Sequence, residues 1–174
     1  MSNTCDIIIK NVNAIIPFSG IVNTNILIEN GKIKALKKTI GNVSADTIIN
    51  AKNRYILPGV IDPHVHYGVY TPIDNAAITE STSAATGGVT TIMRMIRLEG
   101  SYRKIVNHLD VSKDTHITDY GIHASILEPE QINDMSYLKS IGINSFKIYM
   151  NLGSHLKKIL ADLDPGSSSL KEIE

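Results

Sequence analysis

The sequence contains a single cysteine, Cys5, among its 174 residues. One thiol cannot form a disulfide within the chain and cannot supply a cysteine-based zinc site. An excess of charge of either sign is also missing, because 17 Lys and Arg residues balance 17 Asp and Glu residues. A balanced chain has no electrostatic reason to bind nucleic acid or an anionic membrane surface, so we expect neither as a partner.

Long hydrophobic runs are absent as well. No apolar stretch approaches the roughly 20 residues that span a bilayer, and residues 1–6 lack the basic region of a signal peptide. Apolar residues make up 43% of the chain and charged residues 20%, a composition that excludes disordered and fibrous proteins. These features predict a folded, cytoplasmic protein of the mixed α/β class.

The first part of the chain, which we assign to residues 1–56, carries short strand patterns. A β-forming run over 23–36 is interrupted by Asn30-Gly31, and a further short strand is predicted at 46–50. An Asn-Gly pair between β-formers predicts a hairpin, because a type I′ turn requires positive φ at both central residues. The pattern therefore predicts a small antiparallel β unit.

The second part, residues 57–174, alternates strand patterns with helical ones. Asp74 or Asn75 is a suitable N-cap for the first helix, and a Gly-Gly pair follows that helix. Strands that alternate with helices of this length indicate βα units around a parallel sheet. We predict strands at 55–66, 89–96, 116–127 and 143–150, and helices at 76–86, 102–109, 130–140 and 154–163.

A His-x-His pair, His64 and His66, ends the first of these strands. Residues two apart in a strand point to the same face, so the two imidazoles lie side by side. The carboxyl ends of parallel strands are where ligands bind, and two neutral imidazoles can share one metal ion. The alternative is a pair of strand-end histidines that hydrogen-bond to the backbone.

Lys147 lies within the apolar run of residues 143–150. A charged ammonium is costly in an apolar strand unless it is paired, and a desolvated lysine becomes a usable amine. The alternative is a lysine at an exposed strand end, with its charged head directed outward into water.

Three ordered segments together resemble a known family. They read PGVIDPHVH at 58–66, ESTSAATGGVTT at 80–91 and INSFK at 143–147. The chain, from about residue 5 to 160, is similar to the amidohydrolase superfamily. Within it, the chain resembles the cyclic amidase branch of hydantoinase, dihydropyrimidinase, allantoinase and dihydroorotase. The resemblance implies an α/β fold: the N-terminal part of a small β-sandwich, then about half of a TIM-type (β/α)₈ barrel.

The resemblance also implies a binuclear metal centre, usually of zinc. His64 and His66 would bind one metal ion, and a carboxylated Lys147 would bridge both ions through its carbamate oxygens. The family's other ligands are two histidines from strands 5 and 6 and an aspartate from strand 8, which is also the general base. Those positions fall outside this chain, so the resemblance assigns no catalytic base or substrate-binding residue here.

A complete barrel of this type needs about 250 residues, whereas only 117 residues follow residue 57. We therefore interpret the chain as the N-terminal half of a longer enzyme, inactive alone. His108, His116, His123 and His155 precede the family's fifth strand, so we interpret them as structural or surface residues. An isolated chain with half of the ligands is expected to hold zinc weakly.

The open half of a barrel would expose two strand edges and one apolar face. We predict that this inward face carries Val89, Ile92, Ile122 and Ile148. Covering it requires either a second copy or the missing C-terminal half. We therefore expect a homo-oligomer or association with that half.

The expected substrate is a small cyclic amide or imide. Gly68 stands where dihydroorotases carry a carboxylate-binding arginine, which argues against dihydroorotate. Leu152 stands where hydantoinases often carry an oxyanion-supporting tyrosine, yet residues 144–150 look most like the hydantoinase and dihydropyrimidinase group. Tyr149 could replace that tyrosine if a regular strand places it beside Lys147. Dihydroorotase, allantoinase and a non-catalytic scaffold relative stay as alternatives.

Overall fold

The structure is a computed structural model that describes residues 4–150. The chain divides into two compact units between Pro58 and Gly59. Within residues 4–150, no helix is long and apolar enough to cross a membrane.

The first unit is a five-stranded sheet with the strand order β3-β2-β1-β4, in which β5 also pairs with β1. Asn30 and Gly31 have φ angles of 51° and 68°, and the strands on either side of them pair in antiparallel fashion, so the predicted hairpin is confirmed. The strands are β1 (Thr4–Ile16), β2 (Gly20–Glu29), β3 (Lys32–Lys37), β4 (Ser44–Asn50) and β5 (Tyr55–Ile56).

The prediction of a purely antiparallel unit is wrong. β4 and β5 both run parallel to β1, with Ile8 opposite Ile48 in the register, so the sheet is mixed. Alternating apolar residues specify which side chains are buried but carry no information on strand direction. Val12 and Ile26 are buried in one hydrophobic cluster of this unit, and Ile8 and Leu27 in another.

The second unit contains a four-stranded parallel sheet with the order β6-β7-β8-β9. Helices follow the first three strands, as in the first half of a (β/α)₈ barrel. The elements are β6 (Val60–Val65), α1 (Ile73–Thr86), β7 (Val89–Ile96), α2 (Ile105–Ser112), β8 (Asp119–Ile126), α3 (Met135–Ser140) and β9 (Ser145–Ile148). Short 3₁₀ segments, Tyr102–Lys104 and Pro129–Asp134, lead into α2 and α3.

Two predicted boundaries differ from the structure. The single strand expected at 55–66 is divided into β5 and β6, which belong to different sheets. Helix α1 begins at Ile73, with Pro72 in the N-cap position at ψ 139°, so Asp74 lies in the first turn rather than at the cap. Proline suits a helix start because it lacks the N–H that would have no partner there. The helix predicted at 154–163 lies outside the described residues.

One face of the parallel sheet packs against the helices. Ile122 and Ile126 are buried in a cluster with Tyr102 and Leu138, and the Tyr102 hydroxyl donates to the Ser125 carbonyl at 2.6 Å. The predicted set of inward residues is therefore wrong, because its members pack in the helix-side clusters: Val89, Ile92, Ile122 and Ile148. Alternation along the strands leaves the opposite face to Gly121, His123, Ser145 and Lys147.

Candidate metal centre

Three nitrogen atoms meet at the carboxyl ends of β6 and β9. Nζ of Lys147 lies 3.1 Å from Nε2 of His64 and 3.1 Å from Nε2 of His66. The two Nε2 atoms are themselves 3.1 Å apart. The structure thus brings together all three residues that the sequence singled out, in a triangle of nitrogens with equal sides.

The end of β6 is irregular, which affects how the two histidines are held. The pairing of β6 with β7 shifts register between Asp62 and Val65, and Oδ1 of Asp62 accepts a hydrogen bond from the His64 backbone N–H at 3.0 Å. Pro63 has no N–H to offer to a neighbouring strand. Such irregularities re-aim side chains near active sites.

His123 connects the ends of β6 and β9 through two hydrogen bonds. Its Nε2 donates to the carbonyl of Pro63 at 3.1 Å, and its Nδ1 accepts a hydrogen bond from the Ser145 hydroxyl. The Pro63 carbonyl can only accept, so Nε2 of His123 carries a proton in this contact. His123 therefore has a structural role. It links Pro63, the residue before His64, to β9, the strand that carries Lys147.

The electrostatics of the triangle favour a neutral imidazole at His66. Burial lowers the pKa of His66, and the nearby Lys147, His64 and Arg97 lower it further. Neutral imidazole is the form that binds metal ions. The Lys147 amine donates hydrogen bonds toward both rings.

Tyr149 and Arg97 extend the site on one side. Nε of Arg97 donates to the Tyr149 hydroxyl at 2.8 Å, and Nζ of Lys147 lies 4.6 Å from the centre of the Tyr149 ring. Burial alone would raise the pKa of Tyr149, but the nearby Ser125 side chain, the hydrogen bond from Arg97 and the charges of Arg97 and Lys147 lower it overall.

Tyr149 therefore lies beside Lys147, a placement that the sequence left open. The sequence pattern does not single out Arg97, since nothing around it distinguishes it from a surface arginine at a strand end. Its only signal is its position directly after β7.

Gly68 has a physical reason to be glycine. Its φ is +70°, and a Cβ atom there would lie 2.8 Å from Cδ1 of Ile73 and 3.0 Å from Nη2 of Arg94. A side chain at this position would be strained and crowded. The glycine that stands in place of the dihydroorotase arginine therefore matches the local backbone conformation and packing.

The other histidines lie away from the triangle. Nδ1 of His116 donates to the Ser112 carbonyl at 3.0 Å, its Nε2 accepts from the Tyr67 hydroxyl at 2.6 Å, and its ring stacks on Tyr120. His108 is exposed on α2, and His155 lies outside the described residues.

The donor set fits part of a zinc site. Two nitrogens bound to one zinc ion at 2.0–2.1 Å in a tetrahedral arrangement are about 3.3 Å apart, close to the 3.1 Å observed between the imidazoles. Residues 4–150 contain no group of three or more His, Cys, Asp or Glu side chains that could hold a metal ion. The triangle is instead two histidines and an amine, so further ligands are needed to complete a site.

The chain is similar in sequence to several known proteins. No family profile matches the chain. The chain is 35% identical over 153 residues to a D-hydantoinase of Rhizobium radiobacter, covering 83% of this chain and 33% of that protein. It is 34% identical over 134 residues to a dihydroorotase of Methanosphaera stadtmanae, covering 74% of this chain and 30% of that protein.

Among solved structures, the chain is similar to "L-Hydantoinase (Dihydropyrimidinase) from Arthrobacter aurescens". The TM-score is 0.75 at 22% sequence identity, over 91% of this chain and 38% of that one. This likeness confirms the predicted fold class, a β unit followed by part of a TIM-type barrel.

The chain spans about a third of the length of the curated relatives it matches. Hydantoinases and dihydroorotases are metal-dependent amidohydrolases, in keeping with the paired imidazoles at the end of β6. On the strength of these relatives and of the shared fold, the chain belongs to the cyclic amidase branch of the amidohydrolase superfamily.

Proposed function

We propose that this chain forms part of a metal-dependent hydrolase that opens a small cyclic amide or imide ring. The observation that carries the proposal is the triangle of His64, His66 and Lys147 nitrogens, each 3.1 Å from the other two. Side chains from strand ends that lie 81 and 83 residues apart in sequence converge there. Three nitrogen atoms this close together raise the free energy of the folded chain unless a cation or a proton lies between them.

His64 and His66 would hold the ion through Nε2 in their neutral form. When bound, zinc supplies a nucleophile at neutral pH and polarises the carbonyl that is attacked. Asp62 fixes the backbone at His64, and His123 ties Pro63 to Ser145. Supporting hydrogen bonds of this kind orient the ligands and preserve affinity.

Lys147 would act after carboxylation. Its neutral amine adds to carbon dioxide, a C–N bond forms, and one proton is released, which leaves an anionic carbamate. A cationic side chain thereby becomes a ligand with two oxygens, suited to a pair of cations. Tyr149 lies beside Lys147, and its hydroxyl, held by Arg97, would bind the oxygen of the ring carbonyl.

We further propose that polypeptide other than the described residues completes the site with two histidines and an aspartate. That polypeptide would be the C-terminal half of the protein or a second copy in a homo-oligomer. Hydantoins and dihydropyrimidines are the preferred substrates of this proposal, because Gly68 stands in place of a carboxylate-binding arginine and its φ of +70° disfavours any side chain there. A cytoplasmic location stays a prediction.

Titration of the 174-residue chain with Co²⁺ tests the metal site, since the visible spectrum of this ion reports its ligands. We expect nitrogen-ligand bands that disappear in His64→Asn/His66→Asn and persist in His108→Asn. Where a second copy completes the site, ¹³C NMR in labelled bicarbonate should show a metal-dependent carbamate signal that Lys147→Met removes. Bands unchanged by the double substitution would contradict the proposal.

A further inference from the structure

A second feature of the barrel unit is an arginine buried without a counter-ion. Arg94 lies in β7 and is only 5% exposed. Its Nε donates to the Tyr67 carbonyl at 3.2 Å, and its Cζ lies 5.1 Å from the centre of the Tyr67 ring. The described residues provide no carboxylate within ion-pairing distance of it and no hydrogen bond to its Nη nitrogens.

A buried guanidinium in this state is energetically unfavourable. Taking a charge out of water costs free energy unless an opposite charge or several hydrogen bonds compensate for it. The Tyr67 ring face and one carbonyl compensate only partly, and burial lowers the pKa of Arg94. Two Nη nitrogens in a rigid fork are suited to a planar or tetrahedral oxyanion.

Arg94 lines a cavity of about 200 Å³. Arg97 and His108 line it too, and no acidic residue is among the described residues at its wall. Nη2 of Arg94 points toward Gly68, another wall residue, where it takes up space that a side chain would need. The cavity therefore combines one buried cation, one exposed cation and an imidazole with no negative charge.

The cavity is also connected to the candidate metal centre through one residue. Arg97 lines the cavity and donates to the Tyr149 hydroxyl at 2.8 Å, and Tyr149 contacts Lys147. An anion in the cavity would thus share Arg97 with the residues proposed to handle the ring.

We propose that this cavity binds a small oxyanion, a carboxylate or phosphate group, between the guanidinium groups of Arg94 and Arg97. The anion neutralises the buried charge and accepts hydrogen bonds from the Nη nitrogens of Arg94. The site is distinct from the metal ligands and does not depend on the hydrolase function. Its anion is either a free molecule or a group carried by the ring substrate.

Amide NMR spectra of the 174-residue chain, titrated with acetate and with phosphate against chloride at equal ionic strength, test the site. We expect saturable shifts at Gly68, Val69 and Met95 with acetate or phosphate and not with chloride. Arg94→Gln should weaken binding at least about tenfold, since it removes a charge-assisted contact. Arg54→Gln, a substitution in the first unit, lowers the net charge by the same amount as Arg94→Gln. This control should bind acetate and phosphate as wild type does.

Two further variants keep the test decisive if Arg94→Gln does not fold. Arg94→Lys retains the charge without the fork, and Arg97→Gln alters an exposed side chain; both should weaken binding. Shifts equal to those with chloride, or wild-type affinity in both variants, would overturn the proposal.

A comparison of hydantoin-5-acetate with acetate and phosphate, and with hydantoin as the ring that lacks the carboxylate, identifies the source of the anion. Tighter binding of the carboxylated ring than of acetate, with Arg94-dependent shifts, shows a substrate-borne group. Acetate or phosphate binding that the ring carboxylate does not exceed shows a free anion. Only this comparison rests on the proposed function. The acetate and phosphate titrations test the anion site even if that function fails.

Discussion

Nζ of Lys147 lies 3.1 Å from Nε2 of His64, although 83 residues separate the two along the chain. β6 and β9 are the outer strands of the parallel sheet, so the contact reaches across the face of β7 and β8. Curvature of the sheet is what brings its outer strand ends together, as in a barrel. The same curvature converts two separate sequence motifs into one candidate site.

Loss of the paired imidazoles should abolish the stabilising effect of zinc. An ion that binds only the folded chain raises its unfolding temperature by mass action. We expect His64→Asn/His66→Asn to weaken zinc binding by at least about tenfold, because even supporting partners of ligands contribute that much. Thermal unfolding with increasing zinc measures it, and His108→Asn is the matched control. An equal zinc response in all three proteins would refute the assignment.

His123 should matter for both stability and metal affinity. His123→Ala removes the hydrogen bonds to the Pro63 carbonyl and the Ser145 hydroxyl. We expect a loss of about 1–3 kcal/mol in the free energy of unfolding, typical of partly buried hydrogen-bonding groups left without a partner. Urea denaturation measures this loss. Zinc affinity should also fall in the folded variant, and an unchanged affinity would show that His123 does not orient the ligands.

The pH dependence of stability should reflect His116. Burial lowers its folded-state pKa below 6.5. At higher pH the residue is neutral in both states and makes no difference to stability. As the pH falls below about 6.5, the unfolded chain takes up the proton first, so stability decreases until the folded-state pKa is reached.

Urea midpoints measured on either side of that pH test this expectation. His116→Gln should show a smaller decrease on acidification than wild type, while the lowered pKa of His66 leaves a remainder in both. A decrease of equal size in the two proteins would exclude His116 as a source.

Gly59 and Thr90 should be energetically coupled. A Cβ atom at position 59 would overlap the Thr90 side chain, with the Thr90 Cβ only 2.8 Å away. Gly59→Ala should therefore cost about 1–3 kcal/mol of stability through overpacking, and clearly less in a Thr90→Ala background. A double-mutant cycle from urea denaturation measures the coupling. Additive effects would show that the backbone relaxes instead.

Features encoded locally were predictable from the sequence. Asn30-Gly31 specified its turn through the backbone angles that both residues adopt, and His64 and His66 share a face because strands alternate. The parallel return of β4 beside β1 was not predictable, because strand direction depends on long-range pairing. The meeting of Arg97 with Tyr149 arises in the same way, from packing between segments 52 residues apart.

The inward residues were assigned to the wrong face for a related reason. Ile92 and Ile122 are apolar, and apolar residues are expected on both faces of a barrel sheet. Only polar residues on the other face of the sheet, such as His123 and Lys147, identify the face that carries the site. Whether these residues lie near one another depends on the register of β8 with β9.

The position of a bound zinc ion tests the central claim most directly. Anomalous diffraction from crystals of the 174-residue chain grown in excess zinc locates the ion without reference to activity. The account predicts a peak within about 2.0–2.1 Å of Nε2 of both His64 and His66, on the side that faces Lys147. Zinc bound elsewhere with none at these two atoms would contradict it.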